Sequence, residues 1–380
     1  MNQQLMENYL QRFKGILNQV KTEVGKLYTK QEELTRIDTN IHLVKDTTTQ
    51  ILNILKSYSN SHPQQQQQQM LTQHIHSLHK IMNIECKIGI WSMLELNDSR
   101  IAIGDYNGKL SLFTIDFTNA QWKLSAEHKA HSDSISSLCE LQGRNTLISG
   151  SYDNTVKVWK LTDNNSLLSL IATLKGHNSF INQVIPLSTT VIASGSFDKT
   201  IRLWDINTCK ETHSFNEDFS VWSLLRLKSK DVLASSGNGK RISFWNVNAL
   251  IKEHTMKCCH CDRNGLIELN KHYIAVSGGN SMSIDVIDTH NYKVVKHIEC
   301  EEYIVQSNNV SSVRCLNNGS FVYCHDGCLC QIEFESCDVV FKVKMEEEFK
   351  GTTVVCTANG KYIIANNNKK GISIFTIKYK

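Results

Sequence analysis

Residues 149–159 read Ser-Gly-Ser-Tyr-Asp-Asn-Thr-Val-Lys-Val-Trp, and residues 194–204 read Ser-Gly-Ser-Phe-Asp-Lys-Thr-Ile-Arg-Leu-Trp, the same phrase displaced by 45. Each copy is a strand closing on Ser-Gly-Ser, a turn carrying an Asp, and a second strand in which β-branched residues alternate with Lys or Arg up to a Trp. Further strand-turn-strand units align on the same terminal bulky residue, at Phe113, Trp159, Trp204, Trp245, Ile287, Ile332 and Phe375. The intervals are 46, 45, 41, 42, 45 and 43 residues. That period, with short strands and turns rich in Gly, Asn and Asp, predicts a ring of four-stranded blades, and seven units predict seven of them.

The repeat resembles that of the WD40 family, over about 300 of the 380 residues. Its third copy carries Gly176-His177 before the first strand, Ser194 in the second, Asp198 in the turn and Trp204-Asp205 at the close of the third. The second copy carries His131, Ser149, Asp153 and Trp159, with Lys160 where the family usually has Asp. The resemblance implies that His131, Ser149, Asp153 and Trp159, and likewise His177, Ser194, Asp198 and Trp204, form buried hydrogen-bonded networks tying the inner and outer parts of a blade together. Buried His and Asp need partners, and each of these residues supplies what the next lacks. The other five repeats keep the strand pattern and lose most of these residues. The last repeat has three strands, the third at 372–377, so residues 79–86 are expected to add its outer strand and close the ring without an open sheet edge.

Ahead of the repeats, residues 6–58 place apolar side chains alternately three and four apart, in columns that begin Met6, Phe13, Val20, Leu27 and Tyr9, Ile16. Thirteen of sixteen seam positions are apolar and no proline interrupts them, which predicts a long coiled-coil helix over residues 1–62. One greasy stripe in water calls for self-association or a heterologous helix; Glu23 and Lys30 lie within the seam, and either dimer or trimer fits. Pro63 ends the helix, and the glutamines Gln64–Gln69 make residues 63–78 a tether. The predicted fold class is an all-β seven-bladed propeller behind a helical coiled coil, with the propeller spanning 79–380.

Composition bounds the function. The chain holds 41 Lys and Arg against 37 Asp and Glu, a net charge of +4, so nothing in the balance asks for nucleic acid as the main partner. No stretch has the length and apolarity of a membrane span, and the first ten residues lack a secretory signal, which predicts a cytoplasmic or nuclear protein without membrane insertion. In that setting the 13 cysteines are expected to be reduced. Cys258-Cys259-His260-Cys261 gathers four soft ligands, and Cys315, Cys324, Cys328, Cys330 and Cys337 crowd the sixth repeat. Adjacent residues of an extended chain point to opposite sides and do not converge on one tetrahedron, so no metal or other cofactor is assigned.

A recurring Ser, His and Asp set raises nucleophilic catalysis. Two copies, each followed by its closing Trp, suit a structural network and not one active site, so no enzyme activity is expected. Partner-binding candidates are aromatic. Tyr106, Tyr152 and Phe197 share one turn position in repeats one to three, and Trp91 and Trp222 share an early first-strand position in repeats one and four. In the WD40 family, and in the G-protein beta subunit within it, these positions ring the channel mouth that contacts partners. Packing between blades is the competing role. Arg202, Lys240 and Arg241 add positive charge nearby, most simply as solvated flank residues.

The expected function is a scaffold or adaptor that binds protein partners on the propeller face. A component of a ubiquitin-ligase complex is one alternative, although Trp204-Asp205-Ile206-Asn207 ends in Asn where receptors for that role carry Arg. A G-protein beta-like signalling subunit is another, although the helical seam is long for it.

Overall fold

In the computed structural model the described residues are 75–86, 89–96, 100–161, 168–227, 230–257, 265–277, 283–299, 312–315, 321–325, 328–332, 339–344, 354–356, 362–367 and 371–379. They form seven four-stranded antiparallel sheets. The first blade runs through Ile90–Glu95, Arg100–Asp105, Lys109–Asp116 and Gln121–Lys129, each strand bonded to the next. The second is Ile135–Leu141, Thr146–Ser151, Thr155–Leu161 and Leu168–Lys175; the third is Ile181–Pro186, Val191–Ser196, Thr200–Asp205 and Lys210–Asn216. The fourth is Val221–Leu227, Val232–Gly237, Arg241–Asn246 and Ile251–Lys257. The fifth and sixth repeat the order within 266–299 and 312–344. The remaining sheet is composite: Val354–Cys356, Tyr362–Asn367 and Gly371–Tyr379 are completed by Ile75–Glu85.

First strands of successive blades lie side by side, and the series returns from Val354–Cys356 to Ile90–Glu95, so the sheets form a closed ring. The expected fold class is corrected on two points. The described residues contain no helix, and the predicted coil, residues 1–62, lies outside them together with most of the linker. Only six blades consist of four consecutive strands; the last sheet is shared between the two ends of the described chain.

In that sheet Leu78 faces Ile377, Met82 faces Ile374 and Glu85 faces Gly371, with the Ser373 hydroxyl donating to Asn83 Oδ1 at 2.9 Å. The strand begins at Ile75, inside the predicted tether, because its pairing with residues 371–379 continues past His79. Met82 and Ile84 are buried among Ile364, Ile372 and Ile374 and the first-blade residues Ile90, Ile101 and Phe113, so the composite sheet and the first blade share one core.

Neighbouring blades touch through small residues. A Cβ on Gly195 would sit 2.6 Å from Val221 Cγ1, and one on Gly104 would meet Ile135 at the same distance, so glycine in the second strand admits the next blade's first strand. Polar stitches run alongside. Ser92 Oγ donates to the Ile135 carbonyl at 2.7 Å, Ser136 Oγ donates to the Ile181 carbonyl, and Asn182 Nδ2 donates to the Val221 carbonyl at 2.8 Å. Each takes up a carbonyl of the neighbouring blade's first strand.

Candidate partner-binding face

In the second blade the His131 ring lies between Ser149 Oγ, 2.7 Å from Nε2, and Asp153 Oδ2, 2.9 Å from Nδ1. Trp159 Nε1 donates to the same Ser149 oxygen at 2.8 Å. The third blade repeats the set, with His177 at 2.7 Å from Ser194 and 2.8 Å from Asp198, and Trp204 donating to Ser194 at 2.8 Å. A neutral imidazole satisfies every atom: Nδ1–H donates to the carboxylate, Nε2 accepts the serine proton, and the serine oxygen accepts the indole. Burial lowers the His131 pKa, against the pull of Asp153, which keeps that ring neutral. Burial alone would raise Asp153 and Asp198. Hydrogen bonds from their histidines and from Thr155 and Thr200, with the backbone N–H of Ser132 and Asn178, outweigh it and hold both carboxyls below the usual carboxylate range.

This chain of groups has the connectivity of a hydrolytic triad without its access. Ser149 and Ser194 are completely buried and each oxygen is capped by an indole, so no substrate can reach either one.

The fourth blade carries a replacement that the sequence reading missed. Glu217 occupies the place of His131 and His177, four residues before its first strand, and its carboxylate accepts Ser235 Oγ at 2.6 Å, Ser243 Oγ at 3.1 Å and Trp245 Nε1 at 3.1 Å. Lys252 Nζ completes it at 2.8 Å and lies 4.5 Å from the centre of the Trp245 ring. The signal was present: Ser235 precedes Trp245 by ten residues, the spacing of Ser149 to Trp159 and of Ser194 to Trp204.

The same networks aim the turns that carry aromatics. Asp153 and Asp198 accept the backbone N–H of Thr155 and Thr200 at 3.0 and 2.9 Å, which sets Asn154 and Lys199 at positive φ. Gly108 holds the corresponding place in the first blade, with φ +77°. Each turn is tied to the start of its own blade: Tyr106 N–H donates to Gly89, Tyr152 N–H to Ser134 and Phe197 N–H to Phe180. Serines of the following blade grip the turn carbonyls, Ser134 on Tyr106 at 2.8 Å and Ser220 on Phe197 at 3.2 Å.

All five aromatic candidates fall into one row. Trp91 meets Tyr106 edge to face at 4.5 Å and Tyr152 at 5.0 Å. Tyr152 stacks on Phe180 at 4.7 Å, Phe180 lies 6.3 Å from Phe197, and Phe197 is 6.5 Å from Trp222 with nearly parallel rings. Phe180 was absent from the sequence reading, because the residue before the first strand is Gly, Ser, Phe and Ser in blades one to four and shares no chemistry. Six rings thus span four blades. Tyr106, Phe180 and Phe197 remain 46%, 43% and 38% exposed, whereas Trp91, Tyr152 and Trp222 are half-buried between them. Packing between blades and a solvent-facing surface are therefore both met within this one row. Trp222 Nε1 is buried and has no hydrogen-bond acceptor among the described residues.

The nearby cations are engaged or solvated: Arg202 pairs with Glu211, Arg241 with Asp218 at 2.5 Å, and Lys240 is exposed at φ 50°. Cys258–Cys261 and Cys337 lie outside the described residues, and Cys330 is buried. Among the described residues no three His, Cys, Asp or Glu side chains are placed to hold a metal ion.

The sequence profile described as "WD domain, G-beta repeat" matches residues 122–160 and 168–205. Two of the repeats are of the WD40 kind. The chain is 37% identical to the nuclear distribution protein PAC1 of Candida albicans over 70 residues, 18% of this chain and 14% of that protein. It is 37% identical over 73 residues to restriction of telomere capping protein 1 of Candida tropicalis, 19% of this chain and 6% of that protein. The matches span small fractions of these relatives. Among solved structures, the WD40 beta propeller domain of Doa1 is similar at a TM-score of 0.66 and 19% identity, over 79% of this chain and 97% of that one. That likeness is one of fold, a β-propeller.

Proposed function

We propose that this WD40 propeller is a non-catalytic scaffold whose partner is a protein segment seated on the aromatic row across the first four blades. The observation that carries the reading is the continuity of six rings from Tyr106 to Trp222. Rigid aromatic side chains contribute large contact area at low conformational cost and dominate binding energy at interfaces. The turns that hold them are fixed by hydrogen bonds at both ends, so little ordering remains to be done on binding.

We place the scaffold in the cytosol or nucleus, a reading supported by Cys86, Cys139 and Cys209, which form no disulfide among the described residues. A photo-reactive phenylalanine analogue at position 197, at position 106 and, as control, at position 251 on the outer edge of the fourth blade tests the face. Partners crosslinked from 197 and 106 and absent from 251 are expected. Crosslinks only from 251 would move the binding surface to the blade edge.

A further inference from the structure

The first blade has lost the buried network, and a cavity of about 190 Å³ stands beside the positions where it would be. Cys86 takes the place of the histidine, four residues before the first strand. Ile103 takes that of the serine, and Phe113, ten residues on, that of the tryptophan. All three line the cavity. The thiol and the phenyl ring are smaller than the imidazole and the indole they replace, and the isoleucine is larger than the serine, so the exchange redistributes volume within the blade and removes the hydrogen bonds of the set.

What replaces the network is neither dry nor neutral. Phe113 and Trp122 meet edge to face at 5.7 Å and form an aromatic corner, with Trp122 and Leu124 about two-fifths exposed. Glu85, Asp105 and Glu127 also line the cavity against a single cation, Lys109, whose ammonium lies 3.2 Å from Glu127. Asp105 spends one oxygen, Oδ1, on the backbone N–H groups of Asn107 and Lys109. The lining is therefore net negative. The Cys86 thiol registers that field: burial first, and then the charges of Asp105 and Glu127, push its pKa up to about 11.

We infer that this first-blade cavity is a binding site for a small methylated ammonium group, held against Phe113 and Trp122 and balanced by Asp105 and Glu127. An aromatic corner attracts a cation through the negative face of its rings, and methylation reduces the desolvation that a bare ammonium would have to undergo. The volume points to a headgroup, since pockets for drug-sized ligands are larger, roughly 300–1,000 Å³. The site lies between the first blade's strands and the end of the composite sheet's outer strand, and none of the six rings of the aromatic row lines it.

The test is calorimetric titration of the full chain with choline and with its uncharged isostere 3,3-dimethylbutan-1-ol, on the wild type and on Glu127→Gln and Trp122→Ala. Saturable choline binding in the millimolar range or tighter is expected, about −4 kcal/mol or better. Tenfold weaker binding is expected for the isostere and for choline on Glu127→Gln. Glu127 is surface-accessible and its amide keeps the same shape, so this variant remains informative if Trp122→Ala unfolds. No saturable binding of choline, or equal binding of choline and the isostere, overturns the inference.

Discussion

His131 and Asp153 show how single residues set the acid limit of this propeller. The His131 pKa lies below its ordinary value of 6.5, so the unfolded chain binds a proton there before the folded chain does. Its contribution to stability is complete above about pH 6.5 and is lost as the pH falls from there toward the folded pKa. Asp153 and Asp198 are also depressed, so theirs is present above the ordinary carboxylate range and is lost as the pH falls further, below about pH 4. The thermal midpoint is therefore expected to fall in two stages on acidification. The first stage should flatten in His131→Asn, and an unchanged slope above about pH 5 in that variant would contradict the assignment. Glu217 gives a second prediction. Glu217→Ala removes one acceptor from Ser235, Ser243 and Trp245 and the counter-charge of Lys252, which is one-third exposed and can turn to water. A loss of about 2 kcal/mol in denaturant unfolding is expected, from three buried donors that lose their charged acceptor.

Strands and turns have their own constraints. Gly195→Ala places a methyl group 2.6 Å from Val221 Cγ1 and should cost about 1–3 kcal/mol by forcing the third and fourth blades apart. Gly143→Ala meets nothing within 4 Å, and its cost should be about 1 kcal/mol, from φ +73° alone. Thermal melts of the two variants compare packing with conformation; a milder effect at 195 than at 143 would mean that the blades are not in tight contact there. At this scale the strands and turns of the Ser-Gly-Ser-Tyr-Asp and Ser-Gly-Ser-Phe-Asp phrases were legible from local turn chemistry, whereas their buried network was expected only from the resemblance to the WD40 family. Phe180 was not legible, because its role depends on Tyr152 of the neighbouring blade and leaves no mark on its own repeat. Glu217 was hidden for a related reason: a carboxylate serves where imidazole did, so function persists while the residue type changes.

The ring as a whole depends on a contact between residues nearly 300 positions apart, the pairing of Ile75–Glu85 with Gly371–Tyr379. Periodicity in the sequence revealed the three-stranded last repeat and hence the need for a fourth strand. It did not reveal that pairing begins at Ile75, because register is decided by the partner strand. Removing residues 75–85 should lower the thermal midpoint of the propeller by about 5 °C or more, through the exposed strand edge and the loss of buried Met82 and Ile84. Equal midpoints would mean that the composite sheet contributes nothing to closure. The claim about function rests on the aromatic row, and Trp91→Ala combined with Trp222→Ala tests it most directly, with affinity for the crosslinked partner and thermal midpoint measured on the same protein. Each truncation removes a half-buried ring that touches exposed neighbours, so binding is expected to weaken by about 2 kcal/mol or more per site while the propeller remains folded. Full affinity retained in a folded double variant would contradict the account.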